Sequence, residues 1–149
     1  MSVRPMKILV AEDNRANQHL IIALLQKRGH STAVASTGVE ALAAIERDSF
    51  DLVLMDIQMP EMDGLEAARR IRNAEANTGL RLPVVAMTAR AMSGDREAIL
   101  ATGMDDYLEK PVQIDRLDAI LLQASKVRPP DPGARPILGE ANRKADFRL

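Results

Sequence analysis

Five polar residues in this sequence lie at or just beyond the ends of short apolar runs, and together their types could carry phosphoryl chemistry. Glu12 and Asp13 follow the run KILVA, and Asp56 follows LVLM. Thr88 follows VVAM, and Lys110 comes shortly after DYL. An unpaired buried charge is expensive, so a carboxylate such as Asp56 at the end of an apolar strand usually has a cation, a hydrogen-bond network or chemistry to serve.

The chemistry follows from the charges. Three carboxylates placed together repel one another, and a hard divalent cation relieves that repulsion. Mg²⁺ typically takes one or two carboxylates and leaves room for a phosphoryl oxygen, which a lysine and a hydroxyl can also contact. A carboxylate can itself be the nucleophile and form an aspartyl phosphate. Asp56 is therefore the predicted nucleophile, with Glu12 and Asp13 on the metal. Lys110 and Thr88 are the predicted contacts to the phosphoryl group.

These residues are positioned by strand and helix patterns that alternate along the chain. The predicted strands are residues 7–11, 30–35, 52–55, 83–87 and 106–108, and the predicted helices are residues 15–28, 38–47, 64–73, 95–101 and 114–125. Strands that alternate with helices imply right-handed crossovers and a parallel sheet covered on both faces, which is a three-layer α/β sandwich.

The carboxyl ends of the predicted strands form the expected site, because ligands of open α/β sheets bind outside those ends. Taken alone, Glu12 and Asp13 could be helix-capping acids. Thr88 could be an ordinary β-branched strand residue. The coincidence of these residues with Asp56 and Lys110 at one edge favours a site.

Four stretches, specific in combination, resemble the receiver domain of two-component response regulators: VAEDN, MDIQMPEMDG, AMTA and DDYLEKPV. The resemblance covers residues 7–125. It implies a flavodoxin-like, doubly wound α/β fold with five parallel strands in the order 2-1-3-4-5. The sequences of EDNRANQ and of the later motifs are most similar to those of receivers in hybrid sensor histidine kinases, so a hybrid kinase is one expected parent protein.

The resemblance implies a role in a phosphorelay for individual residues. Asp56 resembles the phosphoacceptor, and Glu12 and Asp13 resemble the Mg²⁺ ligands, with the backbone carbonyl of Gln58 as a further ligand. Such a receiver catalyses its own phosphorylation and dephosphorylation without being a turnover enzyme by itself.

The conformational switch is also implied by the resemblance. Thr88 resembles the switch hydroxyl, Tyr107 the switch aromatic and Lys110 the phosphate-contacting lysine. A tyrosine in a short strand could instead be ordinary packing. The peptide between Lys110 and Pro111 is expected to be cis, which only an X–Pro bond permits at low cost.

The implied partner is a histidine kinase or a histidine phosphotransfer protein, and a phosphorylation-dependent dimer stays open. In the first helix, the periodicity predicts a core-facing arc of Leu20, Ala23 and Leu24, while Ile21, Ile22 and Leu25 extend the apolar set. Part of that set is expected to lie exposed and dock the phosphohistidine donor, although a deeply buried helix is equally compatible with the pattern. The docking candidates are Asn14, Ile21, Ile22 and Pro111.

The composition limits the remaining functions. With 149 residues and 46% hydrophobic residues, the chain can build one sizeable core, predicted over residues 1–127, followed by a Pro-rich linker or flexible tail over residues 128–149. A net charge of −1 and 2% aromatic residues argue against a nucleic-acid interface. The lack of cysteine excludes disulfides and thiolate metal sites. No apolar run is long enough for a membrane span, so a cytoplasmic protein is expected.

Two other functions share the expected fold. A flavodoxin-like electron carrier would need a phosphate-binding loop after the first strand. Glu12 and Asp13 in that loop would repel the flavin phosphate. A Mg²⁺-dependent phosphohydrolase with an aspartyl nucleophile is the enzyme alternative. Its motif places a second Asp two residues after the nucleophile, where this chain has Gln58.

Overall fold

The computed structural model describes residues 3–76, 78–79, 81–89 and 93–127, without the side chains of residues 93–95. The predicted tail, residues 128–149, lies outside the described residues, so its boundary stays a prediction.

Five strands alternate with five helices in the described chain, as the periodicity predicts. The strands are β1 (Lys7–Ala11), β2 (Ser31–Ala35), β3 (Leu52–Asp56), β4 (Val84–Thr88) and β5 (Asp106–Glu109), and the helices are α1 (Arg15–Lys27), α2 (Gly38–Arg47), α3 (Gly64–Glu75), α4 (Ser93–Ala101) and α5 (Ile114–Ser125). All neighbouring strands are parallel, in the order β2-β1-β3-β4-β5. The predicted fold class and strand order are confirmed.

Alternate strand residues point to opposite faces of the sheet, and each face has its own apolar cluster. Leu9 and Val53 pack with residues of α2, α3 and α4 on one face. Ile8 and Leu52 pack with residues of α1 and α5 on the other face. The central strands β3 and β4 are buried along their whole length because helices cover both faces, whereas the edge strand β2 is partly exposed.

The orientation of α1 differs from the prediction. Its buried residues are Gln18, Ile21 and Leu25, whereas Leu20 is 50% exposed. The predicted core arc is therefore wrong for Leu20 and for Ala23, which is also exposed, whereas Leu24 is half-buried against the core. The six consecutive apolar residues LIIALL do not define a unique stripe. The polar Gln18, three residues before Ile21, takes a place on the buried face.

His30, just before β2, is buried, with only 4% of its surface exposed. Its Nδ1 atom accepts a hydrogen bond of 3.0 Å from the Met6 backbone N–H, just before β1. Burial, and then the positive charge of Arg28, lower the pKa of His30. The fold therefore holds the neutral imidazole.

The lowered pKa of His30 predicts a pH-dependent contribution to stability. Below the unfolded-state pKa of about 6.5, the unfolded chain binds a proton that the folded chain resists. This contribution is therefore fully present above that pKa and is lost as the pH falls through it. The variant His30→Asn keeps an acceptor near the position of Nδ1 but does not titrate. Urea titrations at about pH 7.5 and about pH 5.5 give the free energy of unfolding, and we expect it to fall less in this variant than in the parent. The same change at exposed His19 is the matched control, and equal losses in parent and His30→Asn would contradict this expectation.

Among the described residues, no helix combines the length and apolar character that crossing a membrane requires.

Candidate functional site

Three carboxylates meet at the carboxyl edge of the sheet. Glu12 follows β1 directly and Asp56 is the last residue of β3, which is a central neighbour of β1. Carboxylate oxygens of Glu12, Asp13 and Asp56 lie within 4.8 Å of one another. Glu12 is fully buried and Asp56 is 4% exposed, while Asp13 is exposed. The structure thus brings the three predicted acids together, with one side open to solvent.

Lys110 lies between two of these carboxylates. Its Nζ donates a hydrogen bond of 2.8 Å to Asp56 Oδ2 and lies 2.8 Å from Glu12 Oε1. Burial alone would lower the pKa of Lys110, but the hydrogen bond to Asp56 and the contact with Glu12 outweigh burial and raise that pKa. The ammonium group therefore stays charged and offsets part of the acidic cluster.

Backbone amides hold the two buried carboxylates from the other side. Asn14 N donates to Glu12 Oε2 at 3.1 Å, and Gln58 N donates to Asp56 Oδ1 at 3.1 Å. Glu12 Oε1 is different, because its contact with Lys110 Nζ at 2.8 Å is an ion pair without a hydrogen bond. Within the described part of the chain, this buried oxygen has no hydrogen-bond donor.

The donor set fits a hard divalent cation. Carboxylate oxygens are ligands that Mg²⁺ prefers, and three carboxylates lie close together here. One of the three, Glu12, also has a buried oxygen without a hydrogen bond. The peptide of Gln58 lies beside the cluster through its N–H bond to Asp56. A ligand role for the Gln58 carbonyl stays a prediction.

Thr88 and Lys110 are brought to the same edge by the pairing of β4 with β5. Thr88 is the last residue of β4 and is 3% exposed. Lys110 N donates to Thr88 O at 2.8 Å, which continues the pairing beyond the end of β5. The peptide between Lys110 and Pro111 is cis, as expected.

The loop after Asp56 returns to the site through a close backbone contact at Gly64. A Cβ atom on Gly64 would lie 2.3 Å from Asp56 O, so only glycine allows the first turn of α3 to approach the end of β3. Gly64 N also donates to Ile57 O at 3.1 Å, which closes the loop. The sequence motif MDG thus has a packing reason in addition to its turn chemistry.

Tyr107 is half-buried on β5 and packs against the core cluster on the α2 and α3 side. Guanidinium groups from α4 and α5 lie over its ring, with Arg96 5.2 Å and Arg116 5.7 Å from the ring centroid. Arg116 also donates to Asp106 Oδ1 at 2.5 Å. These contacts anchor the tyrosine from both neighbouring helices.

The docking candidates have different environments. Asn14 and Pro111 are exposed near the site, and Asn14 caps α1 by accepting a hydrogen bond of 3.0 Å from Asn17 N. Ile22 is half-buried. Ile21 is only 2% exposed and packs in the core on the α1 and α5 side, so its assignment to an exposed docking surface is wrong.

One residue at the site was missed by the sequence reasoning. Gln18 is 7% exposed, and its Nε2 donates to the backbone oxygen of Glu12 and to Ser36 Oγ at 3.2 Å. The available signal was its spacing of three and seven residues from Ile21 and Leu25, which places all three on one helical face.

A doubly wound sheet with clustered acids and a lysine at its carboxyl edge defines a phosphoryl-accepting class of α/β protein. Comparison with known proteins gives the family: residues 8–122 match the model of the response regulator receiver domain. The chain belongs to this family, and it is a receiver domain of a two-component phosphorelay.

Three similar proteins illustrate this membership. Hybrid signal transduction histidine kinase I of Dictyostelium discoideum is 49% identical over 113 residues, which is 72% of this chain but 6% of that protein. The receiver domain of the sensor histidine kinase PA1611 from Pseudomonas aeruginosa, with a magnesium ion coordinated in its active site cleft, is 40% identical. That match covers 81% of this chain and 98% of the PA1611 receiver domain, with a TM-score of 0.73.

The third comparison is with a solved complex. It contains the Saccharomyces cerevisiae histidine phosphotransfer protein Ypd1 and the receiver domain of its downstream response regulator Ssk1. The match is 30% identical, covers 84% of this chain and 92% of that chain, and has a TM-score of 0.80.

Proposed function

We propose that Asp56 accepts a phosphoryl group from a phosphohistidine on a histidine kinase or a histidine phosphotransfer protein. The observation that carries this proposal is the cluster of Asp56 with Glu12 and Asp13, with the Lys110 ammonium 2.8 Å from Asp56 Oδ2. Because phosphorelays begin with a kinase that uses ATP, we expect the reaction to occur in the cytoplasm. The matched region is only a small part of the relatives that are kinases, 6% of the Dictyostelium discoideum protein. A hybrid-kinase parent is part of this proposal.

The transfer replaces one bond to phosphorus by another. A carboxylate oxygen of Asp56 forms the new P–O bond while the P–N bond to the donor histidine breaks, and the imidazole nitrogen keeps the electron pair and takes a proton. Lys110 provides positive charge for the phosphoryl oxygens in a largely buried site, where such charge is most effective. Mg²⁺, held by Glu12, Asp13, Asp56 and the Gln58 carbonyl, would supply further charge stabilisation when bound.

Phosphorylation would then shift a two-state equilibrium at the β4 and β5 edge. We propose that Thr88, at the end of β4, moves its hydroxyl to the phosphoryl group and that Tyr107 turns inward. Arg96 and Arg116 lie over the ring of Tyr107, so that movement would break both cation–π contacts. A face shared by α4, β5 and α5 would thereby report the state of Asp56.

Intact mass spectrometry tests the proposed phosphorylation. The protein is incubated with a small-molecule phosphodonor and Mg²⁺ beside the Asp56→Asn variant. We expect one phosphoryl group on the parent, lost with time, and none on the variant. Release of many equivalents of phosphate per protein would favour the phosphohydrolase alternative. An equal adduct on both proteins would contradict the assignment of Asp56.

The donor is proposed to dock on α1 and the turn after β5, near Asn14 and Pro111. Leu20 is 50% exposed on α1, and Ile22 is half-buried on another side of that helix. A partner that covers these apolar side chains would remove their surface from water, which favours association and supports docking on this helix.

We therefore expect Leu20→Glu or Ile22→Glu to slow transfer from the cognate phosphohistidine protein by about 10-fold or more. Phosphorylation by the small-molecule donor should be unchanged, because the acidic site is intact. Val39→Glu is the matched control, since Val39 is 46% exposed on α2 at the other face of the sheet. Unchanged protein-to-protein transfer in both α1 variants would refute docking on this helix.

A further inference from the structure

Gln18 is a polar side chain in a position where α1 otherwise buries apolar residues. It is 7% exposed and shares its helical face with Ile21 and Leu25. Burying an amide is costly unless it is hydrogen-bonded, so its partners indicate what it does. Both of its hydrogen-bond partners lie in loops at the carboxyl edge of the sheet.

The side-chain amide of Gln18 joins the loop after β1 to the loop after β2. Its Nε2 donates to the backbone oxygen of Glu12 and to Ser36 Oγ at 3.2 Å. A backbone carbonyl can only accept, which fixes the amide orientation with Nε2 toward Glu12. The backbone N–H of Glu12 is also held, because it donates to Ala35 O at 2.9 Å.

The two contacts hold the two peptides that flank Glu12: its N–H belongs to the Ala11–Glu12 peptide, and its carbonyl, which accepts from Gln18, belongs to the Glu12–Asp13 peptide. That peptide sets the direction of both acidic side chains, one buried and one exposed. Partners in a second layer around a metal site orient the ligands, and their loss typically weakens metal binding about 10- to 100-fold. Gln18 occupies such a position although it is no ligand itself.

We propose that Gln18 is a positioning residue that sets the divalent-cation affinity of the acidic site by fixing the Glu12–Asp13 peptide. The inference rests on the proposed function, in which Glu12 and Asp13 hold Mg²⁺. It goes beyond that function by assigning the affinity partly to a residue of α1 that touches neither metal nor phosphoryl group.

The test measures Mg²⁺ affinity separately from stability. Gln18→Met keeps the length of the side chain and removes the donor, and Gln26→Met makes the same change at an exposed position of α1. Isothermal titration gives the Kd for Mg²⁺, and thermal unfolding without Mg²⁺ gives the stability of each variant. We expect the Kd of Gln18→Met to rise about 10-fold or more and that of Gln26→Met to equal the parent value.

The outcomes are distinguishable. Lower stability of Gln18→Met with an unchanged Kd would mean a purely structural role and would overturn the inference. If that variant does not fold, Ser36→Ala decides, because it removes only the second acceptor of the Gln18 amide. A Kd raised a few-fold in Ser36→Ala supports the inference, and an unchanged Kd overturns it. A folded parent that binds no Mg²⁺ would overturn the proposed function and this inference with it.

Discussion

Replacing Lys110 with methionine is expected to slow phosphorylation of Asp56 by a small-molecule donor about 10²- to 10³-fold, the usual cost of losing one preorganised charge at a transferring group. The ammonium lies 2.8 Å from both Asp56 Oδ2 and Glu12 Oε1. Methionine has a similar length and no charge, so the variant keeps the packing around the turn and loses the electrostatic contribution.

The same substitution should not weaken Mg²⁺ binding. Without the ammonium, the acidic cluster is more negative, so the Kd for Mg²⁺ should fall or stay unchanged while the rate falls. Stopped-flow or mass-spectrometric rates at saturating Mg²⁺ and isothermal titration give the two quantities. Lys126→Met, at an exposed residue just beyond α5, is the matched control. A weakened Kd with an unchanged rate at saturating Mg²⁺ would contradict the role given to Lys110.

Replacing Arg72 with methionine is expected to lower the free energy of unfolding by about 3–5 kcal/mol, because it leaves a buried carboxylate without its charge partner. Arg72 Nη1 lies 2.8 Å from Glu75 Oε1, and their side chains are 13% and 6% exposed. Arg72 Nη2 also contacts Asp105 Oδ2 at 2.7 Å, and Nε donates to Gly103 O at 2.7 Å. One guanidinium thus joins α3 to the segment between α4 and β5.

Urea titration and thermal unfolding measure this effect. The expected loss lowers Tm on the order of 10 °C for a domain of this size. Arg69→Met is the control, because Arg69 contacts Glu66 at 3.4 Å on the exposed face and such pairs contribute about 0.5 kcal/mol or less. Replacing Arg72 and Glu75 together with apolar residues should recover part of the loss. Equal costs for Arg69→Met and Arg72→Met would show that burial of the pair is unimportant.

The fold and the acidic cluster were accessible from the sequence because both follow local patterns. Short apolar runs indicate the strands, period-3.6 patterns indicate the helices, and parallel strands place their carboxyl ends at one edge. This rule about strand ends is enough to predict that Glu12, Asp56 and Lys110 lie close together. Differences at helix and strand ends are small, for example the start of α4 at Ser93 instead of residue 95.

The features that the sequence did not predict depend on contacts between distant residues. Gln18 is buried because Glu12 and Ser36 offer acceptors, and His30 is buried because Met6 offers a donor. Neither partner can be read from the periodicity of α1 or β2. The same holds for Arg72, whose partners include groups 31 and 33 residues away in sequence. Helical periodicity without these partners gave the wrong face for Leu20.

The most direct test of the central claim locates the phosphorylated residue chemically. The protein is treated with phosphodonor and Mg²⁺ and then with borohydride, which reduces an aspartyl phosphate to homoserine, and the peptide that contains position 56 is sequenced by mass spectrometry. We expect homoserine at position 56 only when phosphodonor and Mg²⁺ were both present. Reduction at another carboxylate, or none in a folded protein that binds Mg²⁺, would contradict the assignment of Asp56 as the phosphoryl acceptor.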